Sequence, residues 1–284
     1  TLFPPMVGGI FYEHGHRMAA TTVGSLVLCL TIWLGIKEKR RWVRRLGIAA
    51  LAAVVFQGIL GGLTVLFFLP TPVSVAHAVL AQTFFVITIV IAYSLSVERH
   101  RREFMPVTNH AGLIKITVAL GVLIYVQLIL GALMRHTGSG LAIPDFPTMG
   151  GYWIPPFNDA MLRHIDDWRF ERDLPMVNIS QVVIHCVHRL GALFITVTAV
   201  LLDVIALRER ITDKTIVRTI WMLNALVVGQ LCLGVLTVLS EKSPHITSTH
   251  VVTGAATLGV VVLFILRLAP LSWNKFKSTI FLKP

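Results

Sequence analysis

Four of the eleven histidines occupy positions that suit them to bind a metal from both faces of a flat ring. His16 and His188 correspond at an offset of 172 residues, and His77 and His250 correspond at an offset of 173. Each lies near the start of a long apolar run, so all four would sit at a similar shallow depth in a membrane. Two facing helices with one histidine each can supply both axial ligands of a haem, whereas zinc requires a closer set of donors. The pattern predicts two bis-histidine haem sites.

Arginine directly follows the histidine at two of these positions, as Arg17 and Arg189. Haem propionates are anionic, and a guanidinium group binds a carboxylate through two parallel hydrogen bonds. We therefore expect Arg17 and Arg189 to hold propionates. The alternative is that both side chains simply reach from an apolar helix to the membrane interface.

The offset of 172 that relates His16 to His188 also relates Glu13 to His185, so these two repeated positions carry different residues. Because Glu13 precedes His16 by three residues, both side chains would project from one helix face about one turn apart. A carboxylate at that place could act as an acid or base on a substituent of the ring, or stabilise charge on an intermediate. The alternative is an N-terminal carboxylate that stabilises the helix dipole. We predict that Glu13 is catalytic and that the two sites divide the labour.

Long apolar helices must position these residues. Only 14% of the 284 residues are charged and 55% are hydrophobic, which excludes a disordered chain and argues against an ordinary soluble domain. A helix that crosses a bilayer needs about 20 apolar residues. Seven runs are long enough: 18–36, 46–69, 74–95, 112–134, 180–207, 219–240 and 248–268. The sequence therefore predicts an all-α polytopic membrane protein.

The net charge of +11 is concentrated in short stretches between these runs. Lys37–Arg45 holds six lysines and arginines, Arg99–Arg102 holds three, and Arg208–Arg218 holds four. Such clustering follows the preference of basic loops for the cytoplasmic face, so it indicates a membrane protein and no nucleic-acid partner. The N-terminus of this chain and the long loop 135–177 would then lie outside.

The chain contains a duplicated helical module. Residues 57–66 match residues 230–239 at the same offset of 173 that relates His77 to His250. The repeat predicts two pseudo-symmetric four-helix bundles in tandem, an N-terminal half over 1–104 and a C-terminal half over 105–284. The first half has no counterpart of the helix 112–134. We therefore expect a protein of eight spans whose first helix is absent from this chain.

Five stretches together resemble the heme A synthase family over nearly the whole chain. They are Glu13–Arg17 (EHGHR), Val75–Gln82 (VAHAVLAQ), Gly131–Pro147 (GALMRHTGSGLAIPDFP), Ile184–Arg189 (IHCVHR) and Thr249–Gly254 (THVVTG). The resemblance implies a fold of eight helices in two halves. It also implies an oxidoreductase that converts a ring methyl of heme O to the formyl group of heme A.

The resemblance further implies a role for each predicted site residue. His16 and His77 would be the axial partners of the substrate heme O in the N-terminal half. Glu13 matches the acidic position of the family and would serve the reaction there. His188 and His250 would hold a heme b cofactor that relays electrons.

Other functions remain open for the same histidines. A di-haem b electron-transfer cytochrome linked to quinol would use all four and would ask nothing of Glu13. An assembly subunit of a respiratory oxidase and a haem transporter are further alternatives, although no broken mid-membrane helices favour a transporter. The family implies the bacterial plasma membrane, with the inner mitochondrial membrane as second choice. Expected partners are heme O, heme O synthase and respiratory oxidase assembly factors, while the electron partner and a homo-oligomer stay open.

Overall fold

Long helices account for most of the described chain. The computed structural model describes residues 9–67, 70–102 and 110–269, with side chains from residue 14 onward. Within those ranges the α-helices are α1 (Gly9–Lys37), α2 (Arg41–Leu66), α3 (Thr71–Leu95), α4 (Val97–Arg102), α5 (Ala111–His136), α6 (Asp159–Phe170), α7 (Ile179–Arg208), α8 (Lys214–Leu239) and α9 (Pro244–Leu268). All except α4 and α6 are long and apolar enough to cross a membrane, which confirms the seven predicted spans. The chain is an all-α polytopic membrane protein.

The chain divides into two compact units, residues 1–95 and 96–284. The predicted boundary after residue 104 lies outside the described residues. In the first unit, α2 packs against both α1 and α3. A Cβ atom built on Gly47 would lie 2.8 Å from Leu34 Cδ1, so glycine permits the close approach of α1 and α2. Thr31 Oγ1 also donates to the backbone oxygen of Gly47 over 3.0 Å. Buried apolar side chains of all three helices form the core: Val27, Leu34, Val43, Ala50 and Ile91.

The second unit contains a bundle of the four helices α5, α7, α8 and α9. Helix α5 packs against α7 and α9, and α8 packs against the same two helices. This pattern of neighbours places α7 and α9 at opposite corners of the bundle. Side-chain caps define two of the helix starts, because Asn178 accepts a hydrogen bond from Gln181 N and Asp213 accepts one from Thr215 N. The diagonal relation matters because α7 and α9 each carry a predicted ligand.

The short helix α4 is attached to one end of this bundle by an ion-pair network. Arg267 donates to both carboxylate oxygens of Glu98 over 2.8 Å and to Thr219 Oγ1 over 2.7 Å. Arg102 pairs with Glu98 at 3.2 Å and with Asp213 at 3.1 Å. The hydrogen bond from Arg267 lowers the pKa of Glu98 below its ordinary 4.5, although partial burial opposes the shift.

Glu98→Gln should remove an acid-sensitive contribution to stability. Because the folded-state pKa of Glu98 is lowered, its contribution to the free energy of unfolding is complete above the ordinary pKa and disappears as pH falls through the folded value. The solubilised wild type should therefore lose about 1 kcal/mol more stability than Glu98→Gln between about pH 6 and pH 3. Denaturant unfolding across this pH range measures the difference.

The matched control is Glu171→Gln, since the Glu171 side chain is 74% exposed and sits away from this network. Its pH profile should follow that of the wild type. A wild-type profile in Glu98→Gln would show that the network does not stabilise the fold.

Candidate functional site

His188 and His250 both belong to the four-helix bundle of the second unit. They lie on α7 and α9, at opposite corners, and each is half-buried. Each residue lies within about three turns of its helix start.

The ring of His188 rests against the neighbouring helix α5. Gln127 donates from Nε2 to the backbone oxygen of His188 over 2.8 Å. One turn further along α5, Gly131 leaves a notch in which a Cβ atom would lie 3.4 Å from His188 Cε1. A Cβ atom on Gly191 would overlap Oε1 of Gln127, so the amide fills the space beside that glycine. Helix α5 therefore contacts both the ring and the backbone of the predicted ligand.

The same arrangement recurs around His250. Gln230 on α8 donates from Nε2 to the backbone oxygen of His250 over 2.8 Å. Gly234 follows one turn later, where a Cβ atom would lie 3.5 Å from His250 Cε1. A Cβ atom on Gly254 would lie 3.6 Å from Nε2 of Gln230, so this amide also packs beside a glycine of the ligand's own helix. Two helices of the bundle thus carry the predicted ligands, and each of the other two donates a hydrogen bond to the backbone of one of them.

A third copy of the arrangement occurs in the first unit. Gln57 on α2 donates to the backbone oxygen of His77 on α3 over 2.9 Å. A Cβ atom on Gly61 would lie 3.5 Å from His77 Cε1. The ligand predicted on α3 is therefore held in the same way as the two ligands of the second unit.

The other predicted residues of the N-terminal site lie on α1. His16 and Arg17 are exposed on this helix. Glu13 belongs to the same helix, one turn before His16, but its side chain lies outside the described residues. The catalytic role of Glu13 and the pairing of His16 with His77 stay predictions.

The donor set of the second unit fits a haem better than a bare metal ion. In His188 and His250, Nδ1 is buried without a hydrogen-bond partner among the described residues. The described part of the chain brings together no three histidine, cysteine, aspartate or glutamate side chains that could hold a metal ion. A zinc site needs three or four protein ligands, whereas a haem needs only its axial ones from the protein. Two imidazoles on diagonal helices satisfy that requirement.

Arg189 attaches the segment that connects α5 to α7, residues 137–178, to the helix that carries His188. Its guanidinium donates to the backbone oxygens of Thr148 over 3.0 Å, Ile143 over 3.0 Å and Asp145 over 2.8 Å. Its Nε also donates to Nε2 of His185 over 3.1 Å. The predicted contact of Arg189 with a propionate stays a prediction, while its contacts with the connecting segment are a structural role that the sequence did not indicate.

His185 is buried at the same junction, with 2% of its surface exposed. Its Nε2 accepts a hydrogen bond from Nε of Arg189 over 3.1 Å. Its Nδ1 lies 3.1 Å from the backbone oxygen of Ser139 and 3.2 Å from the backbone nitrogen of Ile143. His185, which aligns with Glu13, therefore links the connecting segment to α7 in the second unit.

The connecting segment is folded around a small core of its own. Its side chains pack with two from α7, and the cluster contains Ala142, Ile143, Met161, Ile165, Val177, Val182 and Cys186. The Asp145 carboxylate accepts hydrogen bonds from Thr148 Oγ1, Gly150 N and Gly151 N. Burial raises the pKa of Asp145, but these three bonds outweigh it and lower the pKa overall. Both glycines adopt positive φ angles, 65° and 82°, which most other residues would resist.

Comparison with known proteins identifies relatives of this helical arrangement. A family described as cytochrome oxidase assembly protein matches residues 7–262. The chain belongs to this family. It is 32% identical over 252 residues to a heme A synthase of Mesorhizobium japonicum, covering 84% of this chain and 64% of the relative. It is 23% identical over 236 residues to one of Shouchella clausii, covering 81% of this chain and 70% of the relative.

A further heme A synthase, from Halalkalibacterium halodurans, is 28% identical over 158 residues, which is 54% of this chain and 51% of the relative. The chain thus matches between about half and 70% of the length of these relatives. The resemblance to the heme A synthase family noted from the sequence is confirmed. Together with the seven spans, the bacterial relatives make the chain a multi-pass protein of the bacterial plasma membrane.

In this member of the cytochrome oxidase assembly family, the sequence interpretation missed the function of the glutamines. Gln57, Gln127 and Gln230 each donate a hydrogen bond to the backbone oxygen of a predicted ligand. The signal was the recurrence of a glutamine four residues before a glycine, on the helix next to each of these histidines.

Arg189→Gln should loosen the connecting segment of this protein. Shortening the side chain removes a charged donor from three carbonyl groups, which we expect to cost about 2–4 kcal/mol, because buried acceptors lose their partners. Limited proteolysis should cut residues 143–151 faster in the variant than in the wild type.

Arg163→Gln is the control, since Arg163 is an exposed arginine on α6 of the same segment. It should leave the proteolysis rate unchanged. Equal rates in Arg189→Gln and the wild type would show that the guanidinium does not hold the segment.

Proposed function

We propose that this protein is a heme A synthase that oxidises the ring methyl of heme O to the formyl group of heme A. The observation that carries the proposal is the pair His188 and His250 at opposite corners of one bundle, in a chain of the cytochrome oxidase assembly family. Relatives that match most of the chain are heme A synthases. Their activity, substrate and partners come to this chain as part of the proposal.

In the proposal, His188 and His250 hold a heme b cofactor. This group supplies a one-electron redox centre that relays electrons away from the reaction. The protein supplies the two axial nitrogens, an apolar surrounding from four helices, and a rigid orientation of both rings. Arg189, next to His188 in the chain, is proposed to contact a propionate in addition to the connecting segment.

The first unit is proposed to bind the substrate heme O between His16 and His77, with Arg17 at a propionate. In net terms, the conversion of methyl to formyl adds one oxygen atom from water and releases four protons and four electrons. Two hydroxylations followed by loss of water from a geminal diol give this balance. Glu13, one turn from His16, is proposed to accept a proton or to stabilise positive charge on the reacting carbon.

Supply of the substrate requires a partner that makes heme O, and removal of electrons requires an acceptor. We propose that heme O synthase and respiratory oxidase assembly factors are the protein partners. The connecting segment 137–178 is a folded surface next to the ligand helix α7 and is the proposed place of contact. A homo-oligomer is compatible with the proposal but is not required by it.

The deciding experiment is a mass-resolved chromatogram of the haems extracted from protein purified from cells that supply heme O. We expect heme B together with heme A or a hydroxylated form of heme O. Heme B alone, at two per chain, would instead identify a di-haem b electron-transfer cytochrome and would leave Glu13 without a catalytic role.

Glu13→Gln should retain haem binding but stop turnover. The amide keeps the size of the side chain and cannot take up a proton, so heme O or its alcohol should accumulate while heme A falls by about 100-fold or more. The same extraction measures this ratio.

Glu171→Gln controls for the loss of a carboxylate elsewhere, because Glu171 lies in the connecting segment and is largely exposed. It should produce heme A at the wild-type level. Wild-type heme A production by Glu13→Gln would remove Glu13 from the mechanism.

A further inference from the structure

We propose that Gln127 and Gln230 are positioning residues, which orient the rings of His188 and His250 for axial ligation through the backbone of each histidine. The inference rests on the proposed haem binding of the second unit. It assigns a function to the two helices of the bundle that carry no ligand. The glutamines donate to the backbone of each histidine, so their effect would be transmitted through helix position.

Three glutamine bonds between membrane-spanning helices end on predicted ligands. Three glutamines on three different helices donate to a backbone oxygen on the next helix, and each acceptor belongs to a predicted haem ligand: His77, His188 or His250. The three distances, 2.9, 2.8 and 2.8 Å, are those of well-formed hydrogen bonds. A general packing function would not select these backbone oxygens.

The apolar surroundings make each bond selective for one rotation of the ligand helix. A helix carbonyl has two lone pairs, so the oxygen of His188 accepts from Gln127 in addition to its helical partner. If α7 turned or slid, the amide of Gln127 would lose this partner among apolar side chains, which is costly in a membrane. The arrangement with the bond intact is therefore favoured over neighbouring rotations.

Glycines beside the His188 ring and the Gln127 amide make the position of the ring depend on the position of helix α5. Gly131 lies beside the ring of His188, one turn beyond Gln127, so the ring and the carbonyl both contact the same helix α5. On the other side of the amide, Gly191 leaves room for Oε1 of Gln127. The amide thus lies between the oxygen of His188 and the surface of Gly191, within one turn of α7.

The expected consequence concerns the strength and geometry of axial ligation. A bis-histidine haem is low-spin only when both nitrogens reach the iron, and groups that orient a ligand commonly affect metal affinity by about 10–100-fold. Loss of the Gln127 bond should therefore weaken the bond of His188 to the iron. A merely structural loss would lower stability without a change in spin state.

The test compares three variants of the full chain, purified with bound haem. Gln127→Met keeps the length of the side chain and removes the donor. Gly191→Ala leaves Gln127 in place but pushes on its amide, so it disturbs the same bond from the other helix. Gln181→Met is the matched control, because Gln181 Nε2 donates over the same 2.8 Å to a backbone oxygen that belongs to no predicted ligand, that of Thr137.

Two measurements are made on each variant: the ferric electron paramagnetic resonance spectrum and the rate of haem transfer to apomyoglobin. We expect Gln127→Met and Gly191→Ala to show a high-spin fraction and about 10-fold faster release from the second unit. Gln181→Met should keep the low-spin spectrum and the wild-type rate even if its melting temperature falls.

Other outcomes overturn the inference in distinguishable ways. Low-spin spectra and wild-type release in both Gln127→Met and Gly191→Ala would reject the positioning role and leave the proposed function intact. Equal changes in all three variants would assign the effect to general destabilisation. Absence of low-spin haem from the wild type would reject the proposed haem site itself.

Discussion

The lipid interior offers no hydrogen-bond partners, and the rest of the structure depends on that constraint. A polar side chain within a span must find its partner on another helix or pay a large desolvation cost. Gln57, Gln127 and Gln230 find theirs on the backbone of a histidine. The bonds that these amide nitrogens donate also determine which helix lies beside each predicted ligand, so helix pairing and site geometry have one physical cause.

The sequence was sufficient to predict the spans and the candidate ligands. Hydropathy is a property of consecutive residues, so the seven runs could be located without knowledge of their neighbours. The histidines were recognisable because duplication repeated their positions at nearly one offset. The meaning of the glutamines could not be predicted in the same way, since the four-residue spacing from Gln127 to Gly131 acquires its function only when α7 lies against α5.

The connecting segment shows a different limit of sequence analysis. Its attachment depends on Arg189 binding backbone oxygens more than 40 residues away in the chain. No pattern of residue types marks such acceptors, because every residue has a carbonyl group. The contrast between Glu13 and His185 was visible from the sequence. The structure was required to explain the residue in the second unit, because it shows that His185 is buried and contacts Ser139 and Arg189.

The attachment through carbonyl groups has a consequence for how this surface can change over evolution. Arg189 recognises the path of the backbone at Ile143 and Thr148, not the identity of their side chains. Substitutions that preserve this path would alter the outward chemistry of the segment without releasing it from α7. The protein can therefore acquire new contacts at its surface while the turn that carries His188 keeps the same anchor. Surface residues of the segment and residues of α7 can thus evolve independently.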